Sequence, residues 1–148
     1  MTMLREIMRE GFLHAVQASE SVAGAVRTMA RENIGIVAVL EDERLAGVFS
    51  ERDLLQRVVA RGEDPERVKV GDVMTRNLVT AQETDDYRAA MQLMDERNIR
   101  HLPVTRGDRV VSMLSIRDLM RSEMSRLEYE YRQIHEYIHY VSPEAPSR

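Results

Sequence analysis

Two serine–aspartate pairs, Ser50 with Asp53 and Ser115 with Asp118, are the residues of this sequence best suited to chemistry on a small molecule. They recur 65 positions apart, within Gly47-Val48-Phe49-Ser50-Glu51-Arg52-Asp53-Leu54-Leu55 and Ser112-Met113-Leu114-Ser115-Ile116-Arg117-Asp118-Leu119-Met120. In each copy an apolar run that reads as a buried strand reaches the Ser, and a helical apolar pattern starts at the Asp. A strand, tight turn and helix N-terminus together direct backbone N–H groups and the positive end of a helix dipole at one spot. A carboxylate there can accept hydrogen bonds from both hydroxyls of a ribose, while a serine hydroxyl and the N–H groups suit phosphate oxygens. The same spacing is close to a capping box, in which both side chains serve only the helix's own N–H groups. Spacing alone leaves both readings open.

The elements that must position these turns are repeated as well. Residues 2–10 read as a short helix ended by Gly11, and Phe12 to Val16 as a short strand. Ser19 or Ser21 can cap a helix whose stripe is Val22, Ala25, Val26, Met29 and Ala30. Ile34 to Leu40 and Arg44 to Phe49 read as strands about the Glu41-Asp42-Glu43 turn, and a helix follows from about Glu51 to Ala60. The order then restarts. Leu78 to Thr80 matches Leu13 to Ala15, Tyr87, Ala90, Met91 and Met94 match the first stripe, and Asn98-Ile99 repeats Asn33-Ile34. His101 to Thr105 and Arg109 to Leu114 form the next strand pair about Gly107-Asp108. The expected fold class is α/β of the α+β kind: two β-α-β-β-α repeats, each too small to bury its own apolar face, packed by pseudo-twofold symmetry. Expected boundaries are 1–61 for the first repeat with its N-terminal helix, 62–76 for a linker and 77–121 for the second repeat. A C-terminal extension helix over 122–141 and a flexible tail over 142–148 complete the chain.

Composition narrows the function. Over 148 residues, 43% hydrophobic and 31% charged residues describe a globular protein with a real core, neither disordered nor membrane-spanning. A net charge of −4 with scattered basic residues gives no reason to expect nucleic acid or an anionic membrane as partner. The absence of cysteine excludes disulfides, thiolate metal sites and a cysteine nucleophile. The first ten residues hold no signal-peptide core, so a cytoplasmic location is expected. Met29 and Met94 fall on apolar helix faces and read as core filler.

The order and duplication of these motifs resemble a pair of cystathionine-β-synthase (CBS) domains, the arrangement called a Bateman module. Gly47-Val48-Phe49-Ser50-x-x-Asp53, Leu114-Ser115-x-x-Asp118, Met74-Thr75 and Ile99-Arg100-His101-Leu102-Pro103-Val104 carry the likeness, which covers roughly residues 3 to 121. It implies a stand-alone, non-enzymatic regulatory module that binds an adenosine-containing ligand between its units and pairs into a dimer. AMP, ADP or ATP leads because Arg100 and His101 can hold phosphates, with S-adenosylmethionine and NAD(H) also possible, and no cofactor is required. The family's geometry, with each cleft built from one unit's turn and the other unit's strand entrance, groups Asp53 and Ser50 with Asn77, Val79, Ile99 and Arg100 as the phosphate-friendly site. It groups Asp118 and Ser115 with Phe12, His14 and Ile34 as an apolar slot for a base. Arg52 and Arg117, just before the two aspartates, are within reach of a phosphate, but each reads better as a surface helix charge.

The C-terminal stretch contains His135-Glu136-Tyr137-Ile138-His139, which fits the H-E-x-x-H pattern of zinc hydrolases. Such a site needs a third protein ligand, and Glu144 is the sole acidic residue after His139, so no metal site is expected. Met120, Met124, Leu127, Tyr131, Ile134, Ile138 and Val141 alternate spacings of four and three, the seam of a coiled coil, until Pro143 and Pro146 end the helix. A homodimer joined there is expected, working on an unknown target protein. The alternative is a ligand-free dimerisation scaffold whose working part is this helix.

Overall fold

The computed structural model describes residues 1–8 and 13–141. The expectations placed on Gly11, Phe12, Pro143, Pro146 and the tail therefore lie outside the described residues. In the first unit α1 (Leu4–Ile7) precedes β1 (Ala15–Gln17), α2 (Val22–Glu32), β2 (Ile36–Glu41) and β3 (Arg44–Ser50). A helical turn, α3 (Glu51–Asp53), runs on as a π-helical segment, Leu54–Val59. After α4 (Val70–Val73) the second unit repeats the order with β4 (Ala81–Gln82), α5 (Tyr87–Glu96), β5 (His101–Arg106), β6 (Arg109–Ser115) and α6 (Ile116–Val141). This is the two-repeat α/β architecture anticipated above, with the second repeat's helix and the C-terminal extension forming one continuous helix.

Each unit's sheet places the middle strand between a parallel and an antiparallel neighbour, in the orders β1-β2-β3 and β4-β5-β6. The registers superimpose under the 65-residue shift: Ile36 faces Ser50 as His101 faces Ser115, and the bulge at Val39/Leu40 returns at Val104/Thr105. Helix ends are set locally. Ser21 rather than Ser19 caps α2, its Oγ accepting the Gly24 N–H at 3.1 Å. Asn33 and Asn98 end the paired helices at φ 52° and 51°, a left-handed conformation that Asn tolerates better than most residues. The opening strands sit later than expected, at 15–17 and 81–82 instead of 12–16 and 78–80. A strand begins only where the chain comes alongside its neighbour, which a short apolar run does not mark.

The cores are built crosswise. α1 belongs to the first unit in sequence, yet Leu4 and Met8 pack with Ala81, Tyr87, Met94, Leu102 and Leu119 of the second. Its backbone is tied there by Leu4 N–H to the Asp85 carbonyl at 2.8 Å and Tyr87 N–H to the Thr2 carbonyl at 3.0 Å. α4 does the same for the first unit, where Val70 and Met74 join Val22, Val37, Phe49 and Val58. The linker and the N-terminal helix are thus parts of the two cores, and β3 and β6 meet where the units join.

Gly47 shows how closely the linker is seated. Val48 and Thr75 exchange backbone hydrogen bonds at 3.0 and 2.8 Å. A Cβ on residue 47 would lie 2.6 Å from the Met74 sulfur and 2.7 Å from the Thr75 carbonyl oxygen. Gly47→Ala is expected to lower the unfolding free energy by about 1–3 kcal/mol, the usual cost of overpacking, as a fall in the urea midpoint at unchanged slope.

Candidate functional site

The two serine–aspartate turns have the same local geometry. Asp53 Oδ2 accepts the Ser50 backbone N–H at 3.0 Å and the Ser50 hydroxyl at 3.1 Å; Asp118 Oδ2 accepts the Ser115 N–H at 3.1 Å and hydroxyl at 2.8 Å. In each turn the serine Oγ also accepts the aspartate's own N–H, at 3.3 and 3.2 Å. One carboxylate oxygen per turn is therefore spent on capping, and the other decides what the turn can do.

At Asp53 that second oxygen is taken. Thr75, brought in by the linker, donates its hydroxyl to Oδ1 at 3.0 Å, and Arg57 Nε stands 3.7 Å away. Arg57 in turn donates to the carbonyls of Val73 and Met74 at 3.0 and 2.7 Å, fastening α4 against the helix. Asp53 is 6% exposed. The residues grouped with it above do not gather around it: Asn77 is exposed, Val79 and Ile99 pack on the second unit's core, and Arg100 faces the other turn.

At Asp118, Oδ1 has no hydrogen-bond partner among the described residues, and the carboxylate borders a cleft of about 700 Å³ between the units. That volume suits a ligand of nucleotide size. His14, Ile34 and Ser115 line it, as grouped above, while Phe12 lies outside the described residues. Arg100, grouped above with Asp53, lines this cleft instead, a correction to the expected grouping, and His101 lines it beside Arg100. The cause is strand register: β5 runs antiparallel to β6, so its entrance at His101 lies opposite Ser115, and the Ile116 N–H bonds to the Arg100 carbonyl at 2.8 Å. Each strand entrance thus sits beside its own unit's turn, and the first unit's entrance, Ile34 to Ile36, also borders the cleft at the second unit's turn. Arg117, read as a surface charge, lines the cleft as well; Arg52 does not.

Arg121 and Ser122 complete the wall, and sequence reasoning passed over both. Their signal was available, since positions three and four after Asp118 share its helix face. The guanidinium groups of Arg100, Arg117 and Arg121 make no hydrogen bond or ion pair with other described residues, although Glu51 faces them across the cleft. Burial holds the His101 imidazole's pKa below its ordinary value of 6.5, with Arg100 adding to the effect, against the opposing pull of Asp118 and Glu51.

α6 carries this wall and is locked to the second unit beyond it. Tyr87 donates its hydroxyl to Glu123, and Arg126 bonds Glu123, Glu130 and the Tyr87 oxygen. Arg126 and Tyr87 hold the Glu123 carboxyl down to about 2, so it stays charged. Further out, His135 and His139 stack along the helix at 6.1 Å with no third ligand: among the described residues no group of three His, Cys, Asp or Glu is placed to hold a metal.

Two half-size units that complete each other's cores around a shared, charge-lined cleft define a paired-domain module with room for a small ligand. Comparison with known proteins gives it a family. The chain belongs to the CBS-domain family, whose model matches residues 4–60 and 70–125. The CBS domain-containing protein CBSX3, mitochondrial, of Arabidopsis thaliana is 34% identical over 80% of this chain, which spans 60% of that relative's length. The CBS domain-containing protein YhcV of Bacillus subtilis is 30% identical, with 74% of this chain matched to 78% of that one. A solved CBS-domain crystal structure superimposes with a TM-score of 0.78 at 28% identity, covering 84% of this chain and 99% of its own. No helix among the described residues is long and apolar enough to cross a membrane.

Proposed function

We propose that this CBS pair senses an adenine nucleotide, AMP, ADP or ATP, in the cleft beside Asp118, and that occupancy biases how the two units sit on each other. The observation that carries the reading is the convergence of Arg100, Arg117 and Arg121, none paired with another described residue, on a carboxylate with one oxygen uncommitted. Three arginines against two carboxylates, Asp118 and Glu51, leave the wall with a positive excess, and a bound phosphate removes that repulsion while gaining charge-assisted hydrogen bonds. Asp118 Oδ1 is left to take the ribose hydroxyls. A sulfonium ligand such as S-adenosylmethionine gains less in a cleft of this charge. Because the ligand touches His14 and Ile34 of one unit and Asp118 of the other, it shifts their relative orientation by no more than its differential affinity for the two arrangements.

Calorimetric titration with AMP, ATP, S-adenosylmethionine and NADH tests this. AMP or ATP should bind once per chain, since Asp53 is already occupied by Thr75, and S-adenosylmethionine at least roughly tenfold more weakly. His101 adds a signature in pH. With its folded pKa below the unfolded value, it contributes stability above pH 6.5 that the ligand-free protein loses as the pH falls through the folded value. A phosphate beside the imidazole restores its proton, so nucleotide affinity should rise over the same range while the ligand-free protein weakens. Absence of heat and of thermal stabilisation with every nucleotide would overturn the reading.

A further inference from the structure

α6 outlasts the module that it serves. Leu119 is fully buried and Arg126 is tied to Tyr87 and Glu123, but from Leu127 to Val141 every residue of the helix is exposed. Leu127, Tyr131, Ile134, Ile138 and Val141 lie along this stretch and Met124 one turn before it, each between 51% and 69% exposed. At 1.5 Å per residue they make an apolar row of about 26 Å, and helices in water owe most of their stability to packing such a face. We propose that a second copy of this chain closes the row, seam against seam, as a two-stranded coiled coil.

The spacing and the flanking charges name the occupant. An alternation of three and four keeps an apolar line facing one partner only if that partner supercoils with the same period, and an identical helix does so. Glu128 and His135 border the seam on one side, Glu130 on the other. In an antiparallel pair with Tyr131 opposite Ile134, Glu128 of one copy meets His135 of the other, whereas a parallel pair would set Glu123 against Glu128 and call on Glu130, which Arg126 already holds. His135 is kept in place by stacking between Tyr131 at 5.6 Å and His139 at 6.1 Å. A bilayer is a poorer occupant, because the seam is narrow and bordered by Glu123, Glu128 and Glu130 instead of a basic belt. This interface does not depend on the ligand proposed above.

Sedimentation velocity of the full chain over a range of concentrations tests it. The wild-type protein should sediment at twice its 17.1 kDa mass. Ile134→Glu with Ile138→Glu, which places charges in the seam at positions the module does not touch, should weaken dimerisation by roughly 100-fold. Tyr129→Glu with Tyr140→Glu, exposed but off the seam, should change it less than about threefold. Circular dichroism checks that the module stays folded, and Ile134→Ser with Ile138→Ser serves as the milder pair. A wild-type monomer at all concentrations, or a dimer indifferent to both isoleucine pairs, overturns the proposal.

Discussion

Asp53→Ala is expected to lower the unfolding free energy of the ligand-free protein by about 3 kcal/mol. The carboxylate caps α3 through the Ser50 N–H and hydroxyl and also satisfies the Thr75 hydroxyl, all in a place nearly closed to water. Losing a cap costs about 1 kcal/mol, and each buried donor left unpaired adds about 1–3 kcal/mol, moderated where water reaches it. Arg57 would also lose its counter-charge at 3.7 Å, loosening α4. For a chain of this size the change corresponds to a fall in melting temperature of about 6–12 °C. Chemical denaturation followed by circular dichroism is the measurement. An unchanged midpoint would mean that Asp53 carries no structural load. Nucleotide affinity, measured where the variant is folded, should change little, because the open cleft lies at the other turn.

Asp118→Ala should do the reverse. It gives up the same cap at Ser115, worth about 1 kcal/mol, but has no third donor to orphan among the described residues. Its loss falls instead on binding. Two charge-assisted hydrogen bonds to a ribose diol are worth about 1.5–3 kcal/mol each before their desolvation is subtracted. AMP affinity is therefore expected to drop about 100-fold, equivalent to about 2.7 kcal/mol. Calorimetry on the folded variant reads this directly, and 2′-deoxy-AMP should lose affinity against wild type but not against the variant. Equal binding of AMP by wild type and variant would remove Asp118 from the site. The two substitutions, chemically the same and 65 positions apart, thus separate a structural carboxylate from a binding one.

Much of this architecture is legible in the chain. Duplication supplies an internal control: an apolar stripe or an Asn at a helix end that returns 65 positions later marks a feature of the unit, not chance. The stripe through Val22, Ala25 and Met29 and its partner through Tyr87, Ala90 and Met94 are both buried as their spacing requires. The turn at Ser50 and Ser115 was equally legible as a cap or a ligand grip; both copies are caps, and they differ in the second carboxylate oxygen, which Thr75 takes at Asp53 and which has no hydrogen-bond partner among the described residues at Asp118. No local feature could have shown that difference, because the choice at Asp53 is made by Thr75, 22 positions away across a linker. The grouping of Arg100 and His101 with Asp118 likewise follows from strand register, which apolar alternation does not specify across a hairpin's whole length.

The sequence by itself determined the repeated units, their secondary structure, the capped turns and the heptad row on the last helix, since each depends on residues within a few positions of one another. Only the tertiary structure decided which aspartate keeps an oxygen without a partner among the described residues, which arginines surround it, and that α1 and α4 complete the opposite units' cores. Those outcomes depend on contacts between residues tens of positions apart, whose geometry is set when two incomplete cores bury their apolar faces against each other.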